Sequence, residues 1–367
     1  MTVGLVAAWT IVVALGLVVG SVVVGRTGHA AIAVVQDGLP FVLVLAWIVT
    51  VLAAVTGHWL LAVVGIALVA YHVRLLLPRV LPDHMPRWVA SAPRLRLLVA
   101  NVFIDNQTPR DLARVLLDTP ADVIVIAEWN PTFVAAFDAA GGEAAFPHRL
   151  FDPDDHSDYA VAVLSAAPLR PASRMVRRGE LAAAQAVVRV GSSDLTFVAL
   201  NPMAVVDPDG YPKWDAQLDT LHDHLHTLRG AVAVAGDLNT TTFRPRMRRL
   251  LSLGLRDAHE SLGRGLSASF KLSADGVLAA PGAVVRLDHV LTNRFVRAVT
   301  VDDRPSAGSD HVPFVMELAV RPSAGRRSRR LDAPGGEGQG TEQAVGDEGD
   351  AHERDDDSTP VGDGHAP

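Results

Sequence analysis

Residues 232–242 read VAVAGDLNTTT. Four small apolar residues run into Gly236, then Asp237 and Asn239 follow one residue apart, ahead of three threonines. A short apolar run closed by glycine reads as a buried strand passing into a loop. A carboxylate there can hold a hard cation or orient a water, and a carboxamide can donate to a phosphate oxygen. Alone, GDLN is also a common turn. The rest of the chain decides between these readings.

Four other strand ends show the same habit. RLRLLVAN (94–101) closes on Asn101, and DVIVIAE (122–128) closes on Glu128. Asp288 and His289 sit inside RLDHVL (286–291). Ser309, Asp310 and His311 stand in GSDHVPF, at the start of the strand expected over 311–320. Each has a plain structural alternative. Asn101 could cap a strand end, Glu128 could be a solvated turn residue, Asp288 could pair with Arg286 or Arg294, and His311 could be a loop histidine. Five independent strand ends finishing in N, E, D-x-N, D and D-H are hard to obtain by chance.

Further strands are expected at 159–165, 184–190, 195–201 and 231–236. TPRDLARVLLD (108–118) predicts a helix with Thr108 as N-cap, Pro109 at the first helical position and Asp111 in the first turn. Helices also fit 213–229 and 245–253. Many strands with few long helices predict an α/β sandwich of stacked sheets rather than a doubly wound sheet.

The order N, E, GDxN, LDHV, SDHxP resembles the endonuclease/exonuclease/phosphatase superfamily. Its members are metal-dependent phosphohydrolases that include pancreatic deoxyribonuclease, abasic-site endonucleases, sphingomyelinases and inositol polyphosphate phosphatases. The resemblance covers about residues 93–320. It implies a four-layer, deoxyribonuclease-like α/β sandwich with the site at one edge. It also implies roles for individual residues. Glu128 would be the main Mg²⁺ (or Mn²⁺) ligand, with Asn101 beside it and Asp310 near the metal. Asp237 would orient or deprotonate the attacking water, and Asn239 would bind the phosphoryl group. Asp288 would fix the tautomer of His311, which would stabilise developing charge. Many relatives carry a histidine where this chain has Asn201, ahead of Pro202. Asparagine can bind phosphate there but cannot deliver a proton. The arginine often found after the preceding LS is also missing, since LSAAP has Ala166.

Ahead of this domain, residues 1–25 carry no charged side chain, nor does the stretch between Asp37 and Arg74. A segment of about 20 apolar residues spans ~30 Å of hydrocarbon. Three membrane helices are therefore expected within 1–80: the N-terminal one, then 39–56 and 58–77, turning at Gly57-His58. A cleaved signal peptide would want a basic start, which is missing here. Residues 81–92 read as a linker. Arg26 and the group Arg74, Arg79, Arg87, Arg94 and Arg96 share one side of a three-span chain, which leans the catalytic domain towards the cytoplasm. Some membrane-anchored bacterial relatives act on the opposite side, so the sequence leaves the side open.

Cysteine is absent, which removes disulfides, thiolate nucleophiles and thiolate metal sites. Any metal must use oxygen or imidazole ligands. The net charge of −7 sits in the acidic end beyond residue 331, a Gly-rich stretch too poor in aliphatics to fold. The bulk of the chain is near neutral and poor in aromatics, so nucleic acid is not favoured as a partner. HDHLH (222–226) spaces its histidines two apart, and on a helix residues so spaced are not expected to share a face or to form a metal site. The sequence thus predicts a phosphoesterase tethered to a lipid bilayer, with a lipid or polyprenyl phosphate favoured by the tether. The alternatives are a nuclease, or a non-catalytic binding protein that keeps the fold.

Overall fold

The computed structural model describes residues 3–151, 160–171, 181–207, 209–271 and 282–323. The described residues belong to one compact unit, Met1–Ala324. The acidic end lies outside the described residues.

The chain begins with α1 (Val3–Val24), α2 (Ala30–Asp37), α3 (Leu39–Val42), α4 (Val44–Val55) and α5 (Trp59–Val80). Helices α1 and α5 are long and apolar enough to cross a membrane; α2 and the Leu39–Val55 stretch pass the same test together as a pair bent by 72°. The helical stretch that covers the expected second span begins earlier than residue 39 and is bent. The break has a local cause: Pro40 fits the first turn of α3 but cannot continue α2, and Gly38 occupies the joint. Gln36, fully buried, anchors α2 to the end of α1. Its amide donates to Ser21 Oγ at 3.0 Å and to the Arg26 carbonyl at 2.9 Å, and its oxygen accepts from Thr27 at 2.8 Å. Helices α4 and α5 pack closely at Gly65, where a Cβ would meet Thr50 Oγ1 at 2.2 Å.

The segment expected as a linker holds a short 3₁₀ turn, Arg87–Ser91, which packs Val89 and Ala92 against Ala319. The remaining elements come in order. They are β1 (Arg94–Asn101), α6 (Pro109–Asp118), β2 (Val123–Ala127), α7 (Pro131–Ala139), α8 (Gly142–Ala145), β3 (His148–Phe151), β4 (Val161–Ser165) and β5 (Leu169–Pro171). Next come β6 (Ala182–Val190), β7 (Ser193–Asn201), α9 (Gly210–Thr227), β8 (Ala231–Asp237) and α10 (Pro245–Leu251). The chain closes with β9 (Arg256–Asp257), α11 (Ala258–Ser261), β10 (Phe270–Lys271), β11 (Ala283–Val285), β12 (Asp288–Thr292), β13 (Val296–Asp303) and β14 (Phe314–Val320).

Two six-stranded sheets form, in the orders β13-β14-β1-β2-β4-β3 and β5-β6-β7-β8-β12-β9. Strand alternation sorts their side chains into layers. Leu97, Val99, Val123 and Val125 join Ala233, Ala235 and Phe197 in the core between the sheets. Leu98, Ala100, Ile124 and Ile126 face outward onto α6 and α7. Val232 and Val234 face outward onto α9 and α10. The result is the four-layer α/β sandwich, helices outside and sheets inside. Both faces of each central strand are buried, which is why the strands read as unbroken apolar runs. Thr108 does precede α6, but its hydroxyl donates to the Ala307 carbonyl at 3.0 Å and makes no cap bond.

Candidate active site

Sheet topology explains why distant strand ends meet. Strands β1 and β2 run parallel, so Asn101 and Glu128 emerge at one edge; β7 and β8 run parallel and bring Asn201 and Asp237 to an edge of the other sheet. The antiparallel neighbours start where those strands finish. Strand β12 opens with Asp288 directly opposite Asp237, and β14 opens beside β1 just after His311. Gly236 is required at this point: its φ is +136°, and a Cβ would lie 2.1 Å from the Leu200 carbonyl oxygen.

The side chains form one connected network. Asn101 Nδ2 donates to Glu128 Oε1 at 2.7 Å and to Asp237 Oδ2 at 3.1 Å. Glu128 Oε2 accepts from the Ile104 backbone N–H at 2.7 Å. Asp237 Oδ1 accepts from the Asn239 N–H at 2.8 Å, and Asn239 Nδ2 donates to the Pro202 carbonyl at 2.9 Å. His311 Nδ1 lies 2.6 Å from Asp288 Oδ2; its Nε2 lies 3.5 Å from Asp237 Oδ2 and 4.0 Å from Asp310 Oδ1. Ser309 Oγ donates to the Asn101 carbonyl at 2.8 Å and accepts from the His311 N–H at 3.0 Å, tying the two halves together. Glu128 and Asn239 hold left-handed φ values of +59° and +48°. Such conformations cost about 1–3 kcal/mol each and cluster at functional sites.

Burial sets the electrostatics. It pushes the Glu128 carboxyl up to about 7, against the hydrogen bond from Asn101. It also pushes Asp237 up to about 6, against the charge of His311. Burial disfavours a charged His311, but Asp288 and Asp237 outweigh it and raise the imidazole to about 10. Burial likewise opposes ionisation of Asp288, yet the His311 charge and hydrogen bond hold it below the usual carboxylate range. The site at neutral pH is thus an imidazolium held among carboxylates.

The donor set fits a hard divalent cation. Carboxylate oxygens of Asp237 and Asp288 and a ring nitrogen of His311 lie within 4.8 Å of one another, and His311, as an imidazolium, is a neighbour of the cation position rather than a ligand. Among the described residues, Asp288 Oδ1 and Asp310 Oδ1 are buried without a hydrogen-bond partner. Buried acceptors of that kind call for a cation or a proton. Asp288 is committed to His311, which leaves Glu128, Asp237 and Asp310 as the oxygen donors that line the cleft.

Two expected residues sit differently. Asn101 has its carbonyl oxygen taken by the Phe103 N–H at 2.9 Å, and its amide bridges two carboxylates. Its amide spaces the carboxylates, and its oxygen keeps one lone pair beyond the bond from Phe103. Asn201 is buried with neither polar side-chain atom partnered among the described residues, and it does not line the cleft. The adjoining Pro202 carbonyl, which fixes Asn239, is what this strand end contributes directly. On α9, His222 and His226 do share a face, with ring centroids 5.1 Å apart, while His224 turns to Gln185.

The threonines and Arg244 just after GDLN carry a role that sequence reasoning missed. Thr241 N–H and hydroxyl both reach Asp37 Oδ1, at 3.0 and 2.9 Å, and Asp37 forms an ion pair with the fully buried Arg244. The Arg244 guanidinium lies 4.4 Å over the Trp214 ring. Arg79, at the end of α5, reaches Glu260 at 2.8 Å and Thr242 Oγ1 at 3.2 Å. Phe243 packs into the apolar cluster of α1, α4 and α5. Residues 241–244 therefore dock the catalytic domain on the N-terminal helices. As a consequence the α2–α3 joint walls the site. A cleft of about 930 Å³ is lined by Glu128, Asp237, Asn239, Asp310 and His311 together with Val34, Gly38 and Phe41.

Comparison with known proteins agrees with this architecture. The profile of the Endonuclease/Exonuclease/phosphatase family matches residues 98–311, more than half of the chain. No curated protein matches. Among solved structures, the chain is similar to an endonuclease/exonuclease/phosphatase from Beutenbergia cavernae DSM 12333, at 18% identity over 62% of this chain and 72% of that one, with a TM-score of 0.47. It is also similar to TDP2 from D. rerio complexed with single strand DNA product, at 17% identity over 62% and 99%, TM-score 0.49. A third is an endonuclease/exonuclease/phosphatase from Bacteroides vulgatus, at 14% identity over 62% and 99%, TM-score 0.49. Enzymes of the matching family typically use a divalent metal. With the sandwich, the strand-end carboxylates and the profile match together, this chain belongs to the Endonuclease/Exonuclease/phosphatase family.

Proposed function

We propose that this chain is a phosphoesterase dependent on Mg²⁺ or Mn²⁺, held at a bilayer by its apolar helices, that hydrolyses a phosphate ester of a lipid or polyprenyl alcohol. One observation carries the reading. Asp237 and His311, the latter held by Asp288, lie on a cleft that is also lined by Val34, Gly38 and Phe41 of the bent apolar helix pair. A headgroup phosphate and an apolar chain are the two chemistries that such a cleft accommodates at once.

The residues divide the work. Glu128, Asp237 and Asp310 would hold the cation, which when bound polarises the phosphoryl group as a Lewis acid. Asp237, ionised at neutral pH, takes the proton of the attacking water. The second amide hydrogen of Asn239 is available to a phosphoryl oxygen, its first being fixed on Pro202. The His311 imidazolium donates Nε2–H to the phosphoryl or leaving oxygen as charge develops. Asp288 holds it protonated and oriented. Asn201 cannot serve as an acid, so His311 is the acid at hand. The arginines around the end of α5 favour a cytoplasmic catalytic domain.

The test is hydrolysis by the full chain in lipid nanodiscs. A long-chain alkyl phosphate ester is compared with a single-stranded oligonucleotide and with bis-(p-nitrophenyl) phosphate, with Mg²⁺ or with EDTA. Metal-dependent turnover favouring the alkyl ester supports the reading. Preference for the oligonucleotide would make the chain a nuclease, and inactivity on all three would leave a binding protein.

A further inference from the structure

The catalytic cleft does not end at its apolar wall. A second cavity of about 300 Å³ lies between the helix bundle and the catalytic domain. It shares Asp37, Phe41, Val284 and Val285 with the catalytic cleft, so the two spaces meet at a common boundary. Its lining is largely apolar, with Val44 of α4, Leu76 of α5, Leu266 and Ala268, and it also holds His72, Arg286 and His289. Phe41 and Val44 are 61% and 49% exposed, so part of the apolar lining reaches the outer surface of the helices.

We propose that this second cavity is the hydrocarbon subsite of the enzyme. It takes the part of the substrate chain nearest the phosphate, with Phe41 at the boundary between head and tail. The proposal rests on the lipid-phosphate reading and adds a location to it. The occupant follows from continuity. One cavity is lined by the carboxylate–histidine centre, and the other, across the shared residues, by helices with the composition of membrane spans. A phosphate ester of an apolar alcohol fills both; a nucleotide would place its charged backbone along Phe41, Val284 and Val285. Chain length should therefore enter kcat/KM, by at most about fourfold per buried methylene, and should saturate once the cavity is filled.

Two measurements test it on the full chain in nanodiscs. The first compares kcat/KM for hexadecyl and methyl p-nitrophenyl phosphate, in the wild type and in Val44→Trp and Leu76→Trp, which fill the cavity from two different helices. The wild type should prefer the hexadecyl ester by at least a hundredfold. Each variant should lower that ratio at least tenfold, the methyl ester reporting within each variant that the site is intact. The second uses the wild type alone, with a hexadecyl phosphate carrying a diazirine near its headgroup. Photolabel should map to 41–44, 72–76 or 265–268. No chain preference in the wild type would sink the lipid-phosphate reading itself. A preference that survives both tryptophans, or label confined to the outer faces of α1, would overturn the subsite and leave that reading standing.

Discussion

Glu128 carries the strongest pH dependence at the scale of single residues. A cation binds the carboxylate, not the acid, so a proton competes below the raised value of about 7. Mg²⁺ affinity should level off above about pH 7, weaken by up to about tenfold per pH unit between about 7 and 6, and fall more steeply below about 6, where Asp237 also takes a proton. Isothermal titration between pH 5.5 and 8.5 measures this, and Glu128→Gln should flatten the slope while weakening binding throughout. His311 gives a linkage of the opposite kind. Its folded value, about 10, lies above the ordinary 6.5. Its stabilisation is full below about 6.5 and is lost as pH rises towards 10. Without metal, the wild type should therefore lose more thermal stability than His311→Gln between pH 6.5 and 10. Gly236 is a steric case. An added Cβ collides with the Leu200 carbonyl at a φ foreign to other residues. Gly236→Ala should cost about 2–5 kcal/mol, counting overpacking and backbone strain together, read by denaturant unfolding.

At the scale of elements, the joint between α2 and α3 and the loop after β8 act as one part. Asp37 satisfies the Thr241 N–H and hydroxyl and the Arg244 charge. Removing one partner of a buried ion pair costs about 3–5 kcal/mol, because the other charge stays buried and unpaired. Asp37→Ala should therefore lower the melting temperature strongly and reduce turnover, since Asn239 stands at the head of the same loop. Asp37→Ala with Arg244→Met should recover much of the stability. Thermal unfolding of the two variants in detergent distinguishes this from a mere surface contact, for which the single change would be silent. The strands that frame the site were legible because buried strands advertise themselves as apolar runs. Their register was partly legible too, since Asp237 and Asp288 each close or open such a run. The joint was not. VVQDGLPF reads as a polar interruption between spans, and only its packing on Thr241 and Arg244 shows that Asp37 belongs to the catalytic domain. Asn101 shows the same limit. Its type and position marked the site, but the choice between ligand and spacer depended on which neighbours took its oxygen and its amide.

At the scale of the molecule, helices and sandwich are one construction. Phe243 is buried in the helix cluster, and the cleft lacks a wall without residues 34–41. A version beginning near residue 81 should consequently be less stable than the full chain and should bind alkyl esters more weakly. Calorimetry and a chain-length series on the two forms check this. Composition and motif order pointed to both a hydrolase and an anchor. Neither indicated that the N-terminal apolar helices shape the site, because long-range pairs such as Asp37–Arg244 leave no periodic trace in a sequence.

The decisive measurement is phosphate-ester hydrolysis by the full chain in nanodiscs, made on the wild type, Asp237→Asn and Glu128→Gln with and without EDTA. EDTA should abolish turnover, and Asp237→Asn should lower it by about 10²–10⁴-fold, as for loss of a positioned base. Turnover indifferent to both EDTA and Asp237→Asn would contradict a metal-dependent phosphoesterase centred on this site.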